Sequence, residues 1–279
     1  MNTSEDKAVR EQLENVSRVL VNNRGLMGKV AYQGFFQWLH RYAVEGMNYG
    51  VVADRVQTSG EIMALHFMSG KLANVAHSVV FDVGASVGEY SAAVLKVFGE
   101  RAKIYSFEPC VDIFAQLSKN MASSSNVKTF DLALGEKQKS AVLYGVTSSS
   151  GLEIHKENVH GKELGFSQEV NFVSLDEFCQ QEKIPHIHLL KLDVEGCELS
   201  VLNGASAMLE NDAIDFIQFE FNHPNIYSHV FFHDFFELLS PKYSVTRILQ
   251  DGFCEITKYS ESCEIFANAN FLAIPKRLR

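Results

Sequence analysis

A short apolar segment that runs into a glycine-containing loop places the strongest constraint on how this chain can fold. Residues 78–83 read Ser-Val-Val-Phe-Asp-Val, and Gly84 and Gly88 follow before a helical segment that extends to Phe98. Glycine at position 84 permits a tight turn and a close approach of the backbone, and Gly88 lets the helix begin against the strand. The segment therefore predicts a strand, a glycine loop and a helix that together cradle a nucleotide-type ligand.

After this unit, short apolar runs alternate with helical segments for the rest of the chain. The alternation predicts an α/β domain in which a parallel sheet is flanked by helices. Further strands are expected at residues 103–107, 127–130, 187–192, 214–221, 243–249 and 270–274, and further helices at 111–121, 197–209 and 229–239. A hairpin-like insertion is expected at about residues 141–173.

The N-terminal part of the chain has a helical pattern instead. Val9, Leu13, Val16 and Leu20 recur at three- and four-residue spacing, and two more helices are expected at about residues 30–44 and 60–72. Acidic and basic residues are balanced on the polar faces, which favours a helical cap over a membrane-surface anchor. The predicted domains are a helical cap over residues 1–58 and an α/β domain over residues 59–279.

Composition limits the classes of partner. The 279 residues carry a formal net charge of −9, which disfavours the basic face that a nucleic-acid partner requires. No apolar run approaches the ~18 residues of a membrane span, so stable membrane insertion is not expected. The charged first residues do not resemble a secretory signal, and five scattered cysteines without a C-x-x-C pair indicate a reducing, cytoplasmic compartment. Homo-oligomerisation stays open.

The residues around the loop distinguish between nucleotide ligands. A dinucleotide fingerprint starting at Gly84 fails, because its later glycine positions hold Ser86 and Glu89. The carboxylate of Asp82 would repel a pyrophosphate but suits a positively charged ligand such as S-adenosylmethionine. Glu108 follows Gly84 by 24 residues, at the tip of the second strand, where a carboxylate grips ribose hydroxyls.

The third predicted strand adds a further carboxylate, because Asp131 is placed to accept a hydrogen bond from an adenine amine, although a turn residue is an equally good explanation. The candidate cofactor-binding residues are therefore Asp82, Gly84, Ala85, Ser86, Gly88, Tyr90, Glu108, Pro109, Asp131, Leu132 and Asp193.

Polar residues also follow the fourth and fifth predicted strands. Asp193, Glu220 and His223 are candidates for catalytic proton transfer, and Asp193 is equally suited to hold the methionine ammonium or a substrate hydroxyl. Asp193, Glu220 and Asn222 could offer oxygen ligands to Mg²⁺, but no metal is expected. His186 and His188 alternate on one strand face, where packing or solvent exposure is favoured over ligation.

Several of these segments resemble the FkbM family of S-adenosylmethionine-dependent methyltransferases. The matching pieces are Phe81–Gly88, Phe107-Glu-Pro109, Ser174-Leu-Asp176, Lys191-Leu-Asp-Val-Glu-Gly196, Val201-Leu-Asn-Gly204 and Asn270-Phe-Leu-Ala273. The resemblance covers about residue 60 to the C-terminus and implies the class I methyltransferase (Rossmann-like) fold, a seven-stranded, mostly parallel sheet with an antiparallel last strand. Ser86 departs from the family, which often has Asn there.

The resemblance implies transfer of a methyl group to a hydroxyl oxygen of a sugar or secondary metabolite by in-line displacement. The expected cofactor is S-adenosylmethionine, and the expected partner is a small-molecule or glycan acceptor. Two alternatives remain open at this point: a non-catalytic S-adenosylmethionine-binding protein of the same fold, and a nicotinamide-dependent dehydrogenase.

Overall fold

The computed structural model describes residues 4–50, 59–145 and 166–278. The chain divides into two compact units, residues 1–47 and residues 48–279. The boundary expected at residue 58 falls in the stretch outside the described residues. Asn48 and Gly50 belong to the second unit because the Asn48 amide donates to the Ile248 carbonyl at 3.0 Å and the Gly50 N–H donates to the Asn268 carbonyl at 2.9 Å.

The first unit contains two helices, α1 (Ser4–Asn22) and α2 (Gln33–Gly46), with short 3₁₀ turns at Arg24–Leu26 and Val30–Tyr32 between them. The helices of the second unit are α3 (Glu61–Lys71), α4 (Glu89–Phe98), α5 (Val111–Met121), α6 (Leu175–Glu182), α7 (Glu198–Asn203), α8 (Ser206–Glu210), α9 (Pro224–Ser228) and α10 (Phe232–Leu239). Its strands are β1 (Ser78–Val83), β2 (Ala102–Phe107), β3 (Val127–Phe130), β4 (Ala133–Gly135), β5 (Lys139–Gly145), β6 (Phe166–Ser174), β7 (Ile187–Leu192), β8 (Ile214–Phe221), β9 (Tyr243–Ile248), β10 (Phe253–Glu255) and β11 (Ala269–Pro275).

The main sheet has the strand order β10-β9-β11-β8-β7-β1-β2-β3. Strands β3, β2, β1, β7 and β8 are parallel to one another, whereas β11 is antiparallel to both β8 and β9. The predicted class I methyltransferase fold is therefore confirmed. The short strand β10 adds an eighth strand by pairing antiparallel with β9.

A second, three-stranded sheet has the order β4-β6-β5. Strands β5 and β6 pair antiparallel from Lys139↔Phe172 to Gly145↔Phe166, in the region where the sequence predicts a hairpin-like insertion. Residues 146–165 between them lie outside the described residues. The buried side chains of this sheet form a small core of Ala133, Leu143, Val170 and Phe172.

Two helices depart from their predicted bounds: one is interrupted, and the other begins three residues later than expected. The helix predicted over 197–209 ends at Asn203 and restarts at Ser206. Between the two parts, Gly204 packs so closely on β4 that a Cβ there would lie 1.9 Å from the Gly135 carbonyl oxygen. The helix predicted over 229–239 begins only at Phe232, because His229 caps α9 in the left-handed conformation with a φ of 55°. Close backbone packing and a local cap thus override the apolar spacing.

Helices α3 and α4 cover one face of the main sheet. Leu65 and Met68 of α3 and Val94 of α4 join Ile104, Leu189 and Phe216 of the strands in one buried cluster. On the opposite face, the ring of Phe178 in α6 makes edge-on contacts with Phe81, Phe107 and Phe130, with ring centroids 4.8–5.7 Å apart. These two cores hold the sheet rigid, so that the positions of its strand ends are fixed.

Candidate active site

The loop after β1 is shaped by a backbone contact across the sheet. Gly84 has a φ of 81°, and a Cβ there would lie 1.8 Å from the Asp193 carbonyl oxygen. The N–H groups of Gly84 and Ala85 both donate to the Phe107 carbonyl, at 3.0 and 2.9 Å. Only glycine fits this position, so the predicted requirement at Gly84 has a direct structural cause.

Glu108 is locked against the same loop. One of its carboxylate oxygens accepts the Ser86 N–H at 3.0 Å, and the other accepts the Cys110 N–H at 2.9 Å. Burial raises the pKa of Glu108, and these two backbone donors oppose the effect. Each oxygen retains a lone pair for a further donor.

A cavity of about 320 Å³ opens at this edge of the sheet. Six of the predicted cofactor-binding residues line it: Gly84, Ser86, Glu108, Pro109, Leu132 and Asp193. Sequence reasoning did not assign a cofactor contact to the other lining side chains, which include Ile113, Leu134, Leu143, Phe172, Val194, Glu195 and Cys197. Several of these belong to β4, β5 and β6, whose packing beside the cavity no local motif could reveal.

The remaining predicted cofactor residues (Asp82, Ala85, Gly88, Tyr90 and Asp131) are not among the lining residues of this cavity in the described part of the chain. The side chain of Asp82 is 1% exposed and accepts a 2.6 Å hydrogen bond from the Ser91 hydroxyl of α4. The Tyr90 hydroxyl donates to the Gln218 side chain at 2.8 Å. The register of β1 directs the Asp82 side chain, and the position of Tyr90 in α4 directs its ring, into the interior of the domain and not into the cavity.

Asp82 belongs to a polar row that crosses four strands. The register places Ser106, Asp82, Lys191 and Gln218 side by side, so their side chains share one face of the sheet. Burial raises the pKa of Asp82 to about 6, while the Ser91 hydrogen bond and the nearby Lys191 oppose that rise.

Lys191 is the cation at the centre of this row. Its side chain is 3% exposed, and its Nζ lies 3.1 Å from an Asp193 carboxylate oxygen and 3.8 Å from a Glu61 oxygen. Burial lowers the pKa of Lys191, but the charges of Asp193, Glu61 and Glu220 outweigh it and raise the pKa above its usual range. Lys191 therefore stays charged, and its contact with Asp193 holds that carboxylate in place.

Glu61 enters this network from α3, outside the strands. Its carboxylate accepts hydrogen bonds from the Gln218 side chain at 2.7 Å and from the Ser59 hydroxyl at 2.8 Å. Sequence reasoning missed Glu61 because an acid in the first turn of a helix is an ordinary N-terminal residue.

The predicted catalytic acids lie close together at the ends of β7 and β8. Burial raises the pKa of Glu220 well above its ordinary value, and the charge of Asp193 raises it further. The Asn222 side chain donates to a Glu220 oxygen at 2.6 Å and to a Glu195 oxygen at 3.4 Å. Asn222 thus bridges the carboxylates of Glu220 and Glu195. His223 follows as the half-buried N-cap residue of α9.

The segment after β7 has an unusual backbone. Glu195 and Gly196 have φ angles of 51° and 91°, and a Cβ at Gly196 would lie 2.7 Å from the Ser228 hydroxyl. Glu198 accepts the Val194 N–H at 2.8 Å, and burial raises its pKa to about 7. The Lys-x-Asp-x-Glu-Gly element therefore places the Asp193 carboxylate at the cavity and follows it with a turn that requires glycine at position 196.

A second cluster of titratable groups lies at the opposite, amino edge of the sheet, where one ligand atom each of His186, His188 and Asp215 lies within 4.8 Å of the others. The His186 Nε2 is 3.0 Å from an Asp215 oxygen, and Arg277 pairs with the other oxygen. The Val79 N–H donates to His188 Nδ1 at 3.0 Å, so the proton of the neutral ring sits on Nε2. Each of the three side chains therefore has a partner at this edge of the sheet.

The strand order and the loop after β1 are those of the class I methyltransferase fold. The Methyltransferase FkbM domain model matches residues 82–244, more than half of the chain, and the chain belongs to this family. It is similar to the hexuronic acid methyltransferase AglP of Haloferax volcanii, with 29% identity over 139 residues, or 48% of this chain and 52% of that protein. The match thus spans about half the length of that relative.

Solved methyltransferase structures resemble the chain more loosely. The METTL16 methyltransferase domain has a TM-score of 0.45 and 10% identity, covering 77% of this chain and 66% of that one. Precorrin-6y C5,15-methyltransferase from Geobacter metallireducens has a TM-score of 0.39 and 9% identity, covering 77% and 88%. Aeropyrum pernix fibrillarin, solved with natively bound S-adenosyl-L-methionine, has a TM-score of 0.38 and 10% identity, covering 76% and 74%.

Proposed function

We propose that this chain uses S-adenosylmethionine to methylate a hydroxyl oxygen of a sugar or a glycan. The observation that carries the proposal is the cavity whose wall combines the Gly84 loop, Glu108 and Asp193, in a chain of the FkbM family. A hexuronic acid methyltransferase among its relatives supports a sugar acceptor.

The lining residues fit such a cofactor. The oxygens of Glu108, held by two backbone N–H groups, are pre-oriented to accept ribose hydroxyls. The apolar side chains of Ile113, Leu134 and Phe172 suit an adenine ring, and the Asp193 carboxylate suits a cationic methionine group. When bound, S-adenosylmethionine would supply an electrophilic methyl carbon, to which the acceptor oxygen would bond in line as the carbon–sulfur bond breaks and the neutral thioether S-adenosylhomocysteine leaves.

The chain then has to align the acceptor and remove its hydroxyl proton. Glu220 is the proposed base, because it lies beside Asp193 at the strand ends and burial raises its pKa, which makes its carboxylate a stronger proton acceptor. The Asn222 amide keeps the Glu220 carboxylate in place. Asp193, fixed by Lys191, orients the reacting groups, and positioning of this kind can supply about 7–11 kcal/mol of barrier reduction.

The first experiment measures cofactor binding by calorimetry with S-adenosylmethionine and S-adenosylhomocysteine. Wild-type protein is expected to bind both, and Glu108→Ala is expected to weaken both by about tenfold or more, since a charge-assisted hydrogen bond contributes roughly 1.5–3 kcal/mol. The control is Glu100→Ala on the exposed surface. Absence of binding to wild-type protein, or tight NAD binding in its place, would contradict the proposal.

The second experiment identifies the acceptor. Labelled S-adenosylmethionine is incubated with the protein and a panel of oligosaccharides that end in hexuronic acids or in neutral sugars. Mass spectrometry then locates the new methyl group. Transfer to a nitrogen, or to non-sugar molecules only, would retain a methyltransferase but overturn the sugar hydroxyl as its target.

A further inference from the structure

Helix α2 of the first unit exposes a stripe of aromatic side chains. Phe35, Trp38 and Tyr42 follow each other at three- and four-residue spacing and are 42%, 51% and 62% exposed. Their rings touch in sequence, with centroids 6.1 Å apart for Phe35 and Trp38 and 5.6 Å apart for Trp38 and Tyr42. Large aromatic side chains in contact with each other on a surface mark an interaction site more often than singly exposed ones do.

The turns before α2 extend this apolar surface. Val30 is 91% exposed, Met27 is 51% exposed and Tyr32 is 41% exposed. The polar residues of α2, Gln33, Gln37, His40 and Arg41, lie on the other side of the helix by their spacing. The segment is therefore amphipathic, and the aromatic side chains on its apolar side are exposed.

The charge of this region differs from that of the rest of the chain. Residues 15–44 contain four basic residues (Arg18, Arg24, Lys29 and Arg41) and no acidic residue, in a protein whose net charge is −9. The acids that balance the charge of the first unit as a whole, and that make the sequence favour a cap over a membrane-surface anchor, precede residue 15 or come at Glu45. Within the described ranges, no ion pair involves Arg24, Lys29 or Arg41.

We propose that residues 24–46, the basic–aromatic segment, dock this protein onto the surface of an anionic lipid bilayer. Tryptophan, tyrosine and phenylalanine partition into the headgroup region, and nearby basic residues are attracted to anionic lipids. The helix lies in the plane of the interface, since no described helix is long and apolar enough to cross a membrane.

Charge argues against a second copy on this face. A two-fold symmetric dimer would place two copies of the same net-positive segment against each other, with three cations and only Glu45 as an acid in each copy. An anionic membrane instead offers opposite charge to all three. The strongly acidic remainder of the chain would at the same time be repelled from the membrane, which favours contact through this segment alone.

Trp38 provides a direct probe, because it is the only tryptophan in the chain. With vesicles of phosphatidylcholine containing phosphatidylglycerol, its fluorescence is expected to shift to shorter wavelength and the protein to sediment with the vesicles. High salt or pure phosphatidylcholine should weaken both effects. No shift and no sedimentation with the anionic vesicles would overturn the proposal.

Two variants test the two parts of the segment in the full-length protein. Arg24→Gln with Lys29→Gln is expected to weaken vesicle binding roughly 30-fold, from about 1 kcal/mol per charge. Phe35→Ser with Tyr42→Ser is expected to weaken it tenfold or more and leaves Trp38 as the probe. The control, Lys96→Gln with Lys119→Gln, makes the same charge change on the exposed surface of the second unit and should bind as wild type.

Circular dichroism checks that each variant keeps its helical content, and light scattering after size exclusion gives the oligomeric state. Equal loss of binding in the control and the test variants would overturn the proposal by indicating a general charge effect. A concentration-dependent Trp38 shift without vesicles, abolished by the Phe35 and Tyr42 changes, would also overturn it and assign the face to a second copy.

Discussion

Glu220 is the residue whose chemistry decides whether the site works as proposed. Glu220→Gln keeps the shape and the Asn222 contact but cannot accept a proton. It is expected to lower kcat by about 10²- to 10⁴-fold and leave the affinity for S-adenosylmethionine within about twofold. Because the raised pKa keeps Glu220 protonated at low pH, the wild-type rate should rise as pH increases through that pKa.

The pH–rate profile of labelled methyl transfer provides the measurement, with the exposed Glu237→Gln as control. A wild-type rate and profile in Glu220→Gln would remove Glu220 as the base. A loss of affinity for S-adenosylmethionine equal to the loss in rate would instead indicate that Glu220 contacts the cofactor.

Lys191 gives a second prediction at this scale, because it is the buried cation among several carboxylates. Lys191→Met leaves Glu61 and Asp193 without their counter-ion, and removing one partner of a buried pair typically costs about 3–5 kcal/mol. The loss in unfolding free energy should be smaller at acid pH, where Glu61 and Asp82 become protonated more readily because burial raises their pKa values.

Denaturant unfolding at several pH values tests this prediction. Lys128→Met, whose pair with Glu182 is exposed, should lose at most about 1 kcal/mol. Adding Glu61→Gln to Lys191→Met should recover part of the loss. A pH-independent loss would mean that Lys191 acts through packing and not through charge.

At the scale of elements, Gly204 is the position where α7 meets β4. A methyl group there would lie 1.9 Å from the Gly135 carbonyl oxygen, although the backbone of Gly204 itself is helical, with a φ of −75°. Gly204→Ala is therefore expected to destabilise the protein by about 1–3 kcal/mol through overpacking.

Gly70 in α3 is the matched control, because nothing lies within 4 Å of a Cβ placed there. Gly70→Ala should stabilise the protein by about 0.5–1 kcal/mol through helix propensity. Thermal unfolding of the two variants checks both directions, and equal effects would show that contact between α7 and β4 does not restrict position 204.

The elements that sequence reasoning predicted well have strong local patterns. Strand β1 and the Gly84 loop were expected at their observed positions, because a buried apolar run followed by glycine has few other interpretations. The hairpin of β5 and β6 was likewise expected, at about residues 141–173, whereas strand β10 and the pairing of β4 with β6 were not, since they depend on contacts outside any local pattern. The breaks at Gly204 and at His229 likewise come from tertiary contacts and a local cap.

The candidate site likewise contains some residues that the sequence predicts and others that it does not. Glu108 and Asp193 could be predicted because strand ends meet at one edge of a parallel sheet. The inward turn of Asp82 and the contribution of Glu61 could not be predicted, because they depend on how α3 and α4 cover the sheet. Sequence patterns thus locate strand-end carboxylates but not the helices that select which of them face the cavity.

At the scale of the whole molecule, buried carboxyl groups link stability to pH. The pKa of Asp82 is raised by burial to about 6 and that of Glu198 to about 7, so both groups bind protons more tightly in the folded than in the unfolded state. Their contribution to stability is complete below the unfolded pKa values near 4 and is lost as pH rises through about 6 to 7. The net charge of −9 adds self-repulsion in the same direction.

The melting temperature is therefore expected to fall between about pH 5 and about pH 8, and Glu198→Gln should make the fall shallower, since the amide cannot ionise. S-adenosylmethionine brings positive charge to a cavity lined by Asp193, Glu195 and Glu108. Its stabilising effect should consequently grow with pH as Glu108, whose pKa is raised by burial, ionises. Calorimetric melting with and without the cofactor measures both trends. A melting temperature that rises between pH 5 and pH 8, or a stabilisation by S-adenosylmethionine that shrinks as pH rises, would contradict this prediction. Either result would mean that groups other than Lys191 and the cofactor neutralise the acids.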